Sequence, residues 1–395
     1  MREFKELVQA YTNSGINIIM DVVYNHVAGA QGCNFDVLVP GYYFRYNGNG
    51  SYSNGSGCGN ETASEHYMMR KFMIDSAKFW ASEYKLGGFR FDLMGLHDLT
   101  TMARLTSAVK EINPNIVIYG EPWSGGTSPL ADADSAKQIN GNLYEGYGAF
   151  NDKIRDALIK GGLAGPTELG WITNNTTNIG SDMNMLTKGI KGITAAGATI
   201  NDPDKTVNYV TCHDNRTLYD RFIATRKYTA EQDALLEKMN VLANSVIFTS
   251  QGTAFMLAGE EFLRTKQGNE NSYNASYEVN ELDYSLKIKH PNMMLSYQSL
   301  INLKINLDGL HLDKDHNQAL NVTASSDGSM VSYKLTDSDN NREYYVIHAN
   351  GLEANNVVDL SGYTLYWSTL ELTNKVLSAE TPVGQYETIV AYKSL

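Results

Sequence analysis

Lys85-Leu86-Gly87-Gly88-Phe89-Arg90-Phe91-Asp92-Leu93 is the stretch whose reading decides the fold. Before it, Met69, Phe72, Met73 and Trp80 recur at helical spacing, and the Gly87-Gly88 pair ends that helix. Residues 89–93 then read as a strand, and its period of two places Arg90 and Asp92 on one side. The same unit repeats on either side. Upstream, Phe4, Leu7, Val8 and Tyr11 predict a helix stopped at Gly15. Residues 16–23 follow as a nearly continuous apolar run, read as a strand buried on both faces, with Asp21 as a buried structural hydrogen-bonding partner. Downstream, Met102, Leu105, Val109 and Ile112 predict a helix closed by Asn113-Pro114, and 116–119 is another apolar strand. Helix and strand alternating in this way predict an α/β class, with a parallel sheet under covering helices.

Further out the signals thin. Residues 28–65 form a loop rich in Gly, Asn and Ser, long enough to be an excursion with its own purpose. Between 124 and 204 only a strand near Gly148-Ala149-Phe150 and a helix over 152–159 are legible. Strands are predicted at 207–212 and 253–257, and helices at 231–248 and 294–303. After Leu310 the texture changes to short strand-like runs at 319–322, 330–335, 344–348, 357–360 and 388–392, separated by Gly, Asn, Asp and Ser. The expectation is two domains: 1–309 an α/β domain, and 310–395 an antiparallel β-sandwich. No repeat of 20–50 residues is visible.

Composition narrows the function classes. The chain of 395 residues carries a net charge of −12, a poor match for nucleic acid or an anionic membrane. No apolar run approaches the roughly 18 residues of a membrane span, and the amphipathic start does not read as a secretory signal. Three cysteines are too few for a disulfide framework; unpaired thiols are expected, with a Cys33–Cys58 staple as the alternative. The 25 Tyr against 12 Phe suit sugar surfaces, and equally any β-rich surface.

Several strands end in polar residues. Asn25 and His26 follow Asp21-Val-Val-Tyr24; Arg90 and Asp92 end Gly88-Phe-Arg-Phe-Asp92. Glu121 lies in Tyr119-Gly-Glu-Pro-Trp123, and His213, Asp214 and Asn215 follow Tyr209-Val-Thr-Cys212. In an α/β barrel the C-terminal strand ends converge on one mouth. An arginine beside Asp92 favours its ionised form, as a nucleophile requires, and Glu121 among acidic neighbours suits a general acid. Two carboxylates in unlike settings, about 5–5.5 Å apart, are what a retaining glycosidase uses. His290, His311 and His316 fall outside this pattern and read as surface residues.

These four segments resemble the four ordered motifs of the α-amylase superfamily, glycoside hydrolase family 13. Details resemble its type I pullulanases, the α-1,6 debranching members: Tyr42-Tyr-Phe-Arg45, Asn54-Gly-Ser-Gly-Cys-Gly-Asn60, Leu93-Met-Gly95, and Gly259-Glu-Glu-Phe-Leu-Arg-Thr-Lys266 with Asn271-Ser-Tyr-Asn274. The resemblance implies a (β/α)8 TIM-type barrel with strands 3 to 8 present and the first two missing, followed by the sandwich. It also implies Asp92 as nucleophile, Glu121 as acid/base and Asp214 as transition-state stabiliser. Arg90 would fix Asp92, and His26, His213, Trp123, Asn215 and Tyr24 would bind substrate. No cofactor is required. A structural calcium is allowed at Asn25, which matches a calcium ligand of many amylases, and the metal-site residues stay unassigned.

The implied function is retaining cleavage of α-1,6 branch linkages in pullulan, limit dextrins or glycogen. The partners are an α-glucan, with no nucleic acid and no membrane, and a missing N-terminal segment of the same protein. Two departures matter. The Lys-His pair that endo-acting α-1,4 amylases usually carry three and four residues after the nucleophile is Gly95-Leu96 here, which favours debranching. The Tyr-Asn-Trp-Gly-Tyr motif of pullulanases is not in the sequence. The alternatives are another α-glucan hydrolase or transferase of the superfamily, and a non-catalytic carbohydrate-binding fragment.

Overall fold

The computed structural model describes residues 1–162, 165, 168–194, 200–226, 232–352, 356–369 and 376–395. The chain divides into two compact units, Met1–Phe150 with Gly197–Ile200, and Asn151–Ala196 with Asn201–Leu395.

The first unit is the alternating segment. Its helices are α1 (Arg2–Asn13), the short α2 (Asn34–Leu38), α3 (Tyr67–Tyr84) and α4 (Leu99–Lys110). Its strands are β1 (Ile19–Val22), β2 (Gly88–Phe91), β3 (Val117–Gly120) and β4 (Gly148–Phe150), paired in sequence order and parallel wherever the register is given. Gly15 stops the approach from α1 at φ 76°, and α4 starts on Asp98, whose side chain accepts from the Thr101 N–H. Phe89 and Phe91 are fully buried, in one cluster with Met69, Met73 and Ala77 of α3 and Met102, Leu105 and Val109 of α4.

Burial of β1 on both faces is not found. Ile19 and Asp21 are exposed, and Val23 is 52% exposed. The strand is at the sheet edge with β2 as its one neighbour among the described residues, so the apolar run has nothing to cover its outer side. Asp21 is correspondingly a half-exposed partner, not a buried one.

The second unit has helices α5 (Asp152–Ile159), α6 (Ile179–Ile190), α7 (Leu218–Arg226), α8 (Asp233–Phe248), α9 (Tyr277–Asn280), α10 (Leu286–Lys289) and α11 (Pro291–Asn306). The strands β5 (Thr206–Asn208) and β6 (Thr253–Ala254) pair in parallel. Six parallel strands are therefore found where six were expected, although β5 and β6 are shorter than the apolar runs that announced them. Residue 231, the predicted start of the helix now seen as α8, lies outside the described residues.

Among the described residues seven strands follow: β7 (Val322–Ala324), β8 (Met330–Asp337), β9 (Arg342–Ala349), β10 (Val357–Val358), β11 (Thr364–Ser368), β12 (Thr381–Pro382) and β13 (Thr388–Ser394). They form a five-stranded antiparallel sheet in the order β11-β13-β9-β8-β7 and a separate β10-β12 pair. One face of the larger sheet, with Val331, Tyr333 and Val346, joins the core of α5, α6, α8 and α11. The other packs Ile347, Ile389 and Ala391 against Val358, Leu360 and Val383. No helix among the described residues is long and apolar enough to cross a membrane, and all three cysteines are free thiols.

Candidate active site

In the first unit, register brings the strand ends level. Val22 faces Phe91, and Phe91 faces Gly120. The ladder runs one residue further, with Asp92 N–H donating to Val22 O at 3.1 Å and Glu121 N–H to Phe91 O at 3.0 Å. Asp92 and Glu121 thus leave neighbouring strands at one height, at the end where βα loops carry chemistry in parallel sheets. Inside, the row Asp21–Arg90–Tyr119 crosses the sheet, so Arg90 reaches along it toward these ends.

Arg90 is the organising cation. Its buried guanidinium places Nη1 2.9 Å from Asp21 Oδ1 and 3.3 Å from Asp92 Oδ1, and Nη2 2.6 Å from Glu121 Oε1. Burial works against its charge, but Glu121, Asp21 and Asp92 outweigh that and hold its pKa above the ordinary arginine value. The single nitrogen of a lysine could not stand at both the Nη1 and Nη2 positions from which these contacts are made. Its Cζ also lies over the Phe150 ring, 5.9 Å from the centroid.

The carboxylates differ in setting. The Asp92 side chain is 22% exposed and accepts from Asn25 Nδ2 at 2.8 Å. Asn25, fully buried, also donates to the Asp92 carbonyl at 2.7 Å and faces His26 Nδ1 with its Oδ1 at 2.6 Å. Glu121, at 3% exposure, accepts from the Leu93 N–H at 2.9 Å. That bond needs Leu93 at φ 38°, in the left-handed region that costs a β-carbon residue energy. Gly95 N–H then donates to the Glu121 carbonyl at 2.9 Å, and a Cβ at Gly95 would stand 2.6 Å from the Trp123 carbonyl oxygen.

A second, largely buried network holds the 42–66 loop under these ends. Arg45 donates to Leu96 O at 2.8 Å and pairs with Glu65 at 2.7 Å and the fully buried Glu61 at 3.5 Å. Ser64 donates to Asp98, which also pairs with Arg70. His97, enclosed between them, is driven by burial and by Arg45 down to about 4. None of the charged or polar side chains here except Arg45 was singled out from sequence; charges scattered through a Gly-rich loop give no periodic signal.

The structure brings Asp21, Asn25, His26, Arg90, Asp92 and Glu121 together, with Trp123 just beyond, half-buried. At Asn25, where the resemblance allows a structural calcium, the side-chain oxygen faces His26 and the amide serves Asp92. Among the described residues no group of three or more His, Cys, Asp or Glu side chains is arranged to hold a metal ion. Tyr24 turns away: its hydroxyl donates to Ser76 of α3 at 2.8 Å, and its ring packs on Phe72 and Phe91. The loop tyrosines stack among themselves and their neighbours, Tyr46 on Tyr52 and Tyr43 on Phe35.

His213, Asp214 and Asn215 lie in the second unit, on the turn after β5. His213 and Asp214 are more than half exposed, 3.5 Å apart, and Asn215 takes φ 60°. Lys266 pins the turn by donating to the His213 carbonyl at 3.0 Å; burial and then Arg264 lower its pKa. Asp214 and Asn215 line a recess with Arg155, Tyr209 and Arg216. Of the other histidines, His311 and His316 are exposed as expected, but His290 is buried, 2.5 Å from Glu237, because α11 begins beside α8.

With that geometry in view, likeness to known proteins becomes specific. Pullulanase of Bacillus subtilis is 33% identical over 366 residues, covering 88% of this chain and 48% of that protein. The solved pullulanase from Bacillus acidopullulyticus matches with a TM-score of 0.88 and 35% identity, over 98% of this chain and 48% of that one. Pullulanase of Anoxybacillus sp. LM18-11, solved with maltotetraose, matches with a TM-score of 0.89 and 31% identity, over 98% of this chain and 56% of that one. The chain belongs to the pullulanase homologues of the α-amylase family, glycoside hydrolase family 13. It spans about half the length of these relatives. No protein-family model matches it.

Proposed function

We propose that this chain carries the catalytic region of an α-1,6-glucan debranching hydrolase acting with retention of configuration. The observation that carries the reading is the Arg90 fork, which holds Asp92 and Glu121 at level ends of adjacent strands. Asp92, accessible and oriented by Arg90 and Asn25, attacks the anomeric carbon as the bond to the branch oxygen breaks. Glu121 gives that oxygen its proton, then takes one from the water that attacks the same carbon and releases Asp92. Asp214 is assigned the transition-state role by resemblance, and His26, His213, Trp123 and Asn215 the binding of sugar rings and hydroxyls.

In this reading the six parallel strands are strands 3 to 8 of a (β/α)8 barrel, present in part over 1–309, and 310–395 is a C-terminal β-sandwich domain. The glucan substrate is supported by relatives solved with maltotriose and maltotetraose. Gly95-Leu96, where endo-amylases carry a basic pair, favours branch cleavage over chain cleavage. The test is product analysis on pullulan. Maltotriose is expected, and its loss by about three orders of magnitude or more in D92N. Activity confined to linear amylose would instead support another α-glucan hydrolase, and glucan binding without turnover a carbohydrate-binding role.

A further inference from the structure

Glu260 is a carboxyl group that the proposed chemistry does not use. It lies in the Gly259-Glu-Glu-Phe motif after β6, 2% exposed. Its Oε1 accepts from the Thr211 hydroxyl, and the Asn244 side chain of α8 lies close to its carboxyl group. From there the hydrogen bonds run in one direction. Asn244 Nδ2 donates to Tyr297 OH at 2.7 Å, and that hydroxyl donates to Asn240 Oδ1 at 2.6 Å. So oriented, Glu260 Oε2 and Asn244 Oδ1 are both buried acceptors without a donor. A proton on Glu260 makes its carboxyl group a donor to such an acceptor, whereas an ionised Glu260 would need an N–H from Asn244 in its place.

The titratable groups facing it favour the proton. Glu261, in the same turn, is a second acid, and Tyr297 of α11 is a phenol. Thr211 and the α8 side chains add only neutral donors and acceptors. Burial is the leading cause that pushes Glu260 up to about 8, against the pull of Thr211 and Asn244.

Thr211 stands two residues before His213. We propose that Glu260 is held as a neutral carboxylic acid and, through Thr211, acts as a positioning residue for the turn that bears His213 and Asp214. The positioning role gains its purpose from the hydrolase reading, but its tests need no turnover.

The first test compares thermal unfolding of the chain with that of E260Q between pH 5 and pH 8. Glutamine reproduces the neutral acid: its amide donates where the proton did, and its oxygen accepts from Thr211. The unfolded carboxyl group ionises near its ordinary value and the folded one near 8. Wild type should therefore lose ground to E260Q by close to tenfold in unfolding equilibrium per pH unit across this range. A gap that stays constant, a gap that moves the other way, or an E260Q chain that does not fold at pH 6 overturns the proposal. The second test follows the His213 ring resonances by NMR. A step near pH 8 in wild type that is missing in E260Q is expected; identical titrations in both overturn the link through Thr211. If pullulan assays fail while these outcomes hold, the hydrolase reading falls and the placement of Glu260 stands.

Discussion

Arg90 shows how much one residue can decide. Its side chain is 6% exposed, and Glu121, the most enclosed of its three acidic partners, is 4% exposed. Replacing it by methionine would leave that buried carboxylate without its cation, a change that typically costs about 3–5 kcal/mol. Urea denaturation of R90M should show that loss; less than about 1 kcal/mol would mean that water already screens the cluster. At the residue scale, the placement of Arg90, Asp92 and Glu121 at adjoining strand ends was legible because strand period and motif agree. The reading failed for Asp21 and His290, whose burial depends on neighbours distant in sequence.

At the scale of elements, the tight join between the ends of β2 and β3 is the most constrained part of the candidate site. Leu93 is forced left-handed, and Gly95 has Trp123 backbone where a side chain would begin. G95A should therefore displace the Trp123 segment and cost about 1–3 kcal/mol through overpacking. A melting temperature equal to wild type would show that the two segments part freely.

Elements were legible where apolar period was clean: α3, α4 and α11 lie where the spacing put them, and β4 and α5 emerged even from a loop-like region. α6 was missed although Ile179, Met183, Leu186 and Ile190 carry the helical period. Its Gly, Ser, Asn and Thr content reads as loop until burial is known. The two-residue strands β10 and β12 have too few residues for any period to register.

Across the whole molecule, three buried titratable groups set an optimum. His348 bonds Thr388 and Thr249 on α8's exit and is driven by burial down to about 3, while His97 is driven to about 4. Both fold neutral, so their contribution is complete above the unfolded histidine value of about 6.5 and fades as pH falls toward 4 and 3. Glu260, up to about 8, works oppositely: its contribution is complete below the unfolded carboxyl value and fades as pH rises to 8. Between pH 4.5 and 6.5 two histidines outweigh one acid; above 6.5 only the acid changes. These groups together predict greatest stability near pH 6.5, and a melting temperature that holds or rises between pH 6.5 and 8 would contradict it. No such balance is visible in composition, where the histidines look alike.

The outer edge of β1 has a practical consequence. A strand that exposes Ile19 and Val23 and leaves its outward backbone groups unpaired is a template for another strand. Two copies meeting edge to edge would extend the sheet without any change of fold. Expressed on its own in concentrated solution, this 395-residue chain should therefore self-associate reversibly, and V23K should lower the association measured by light scattering.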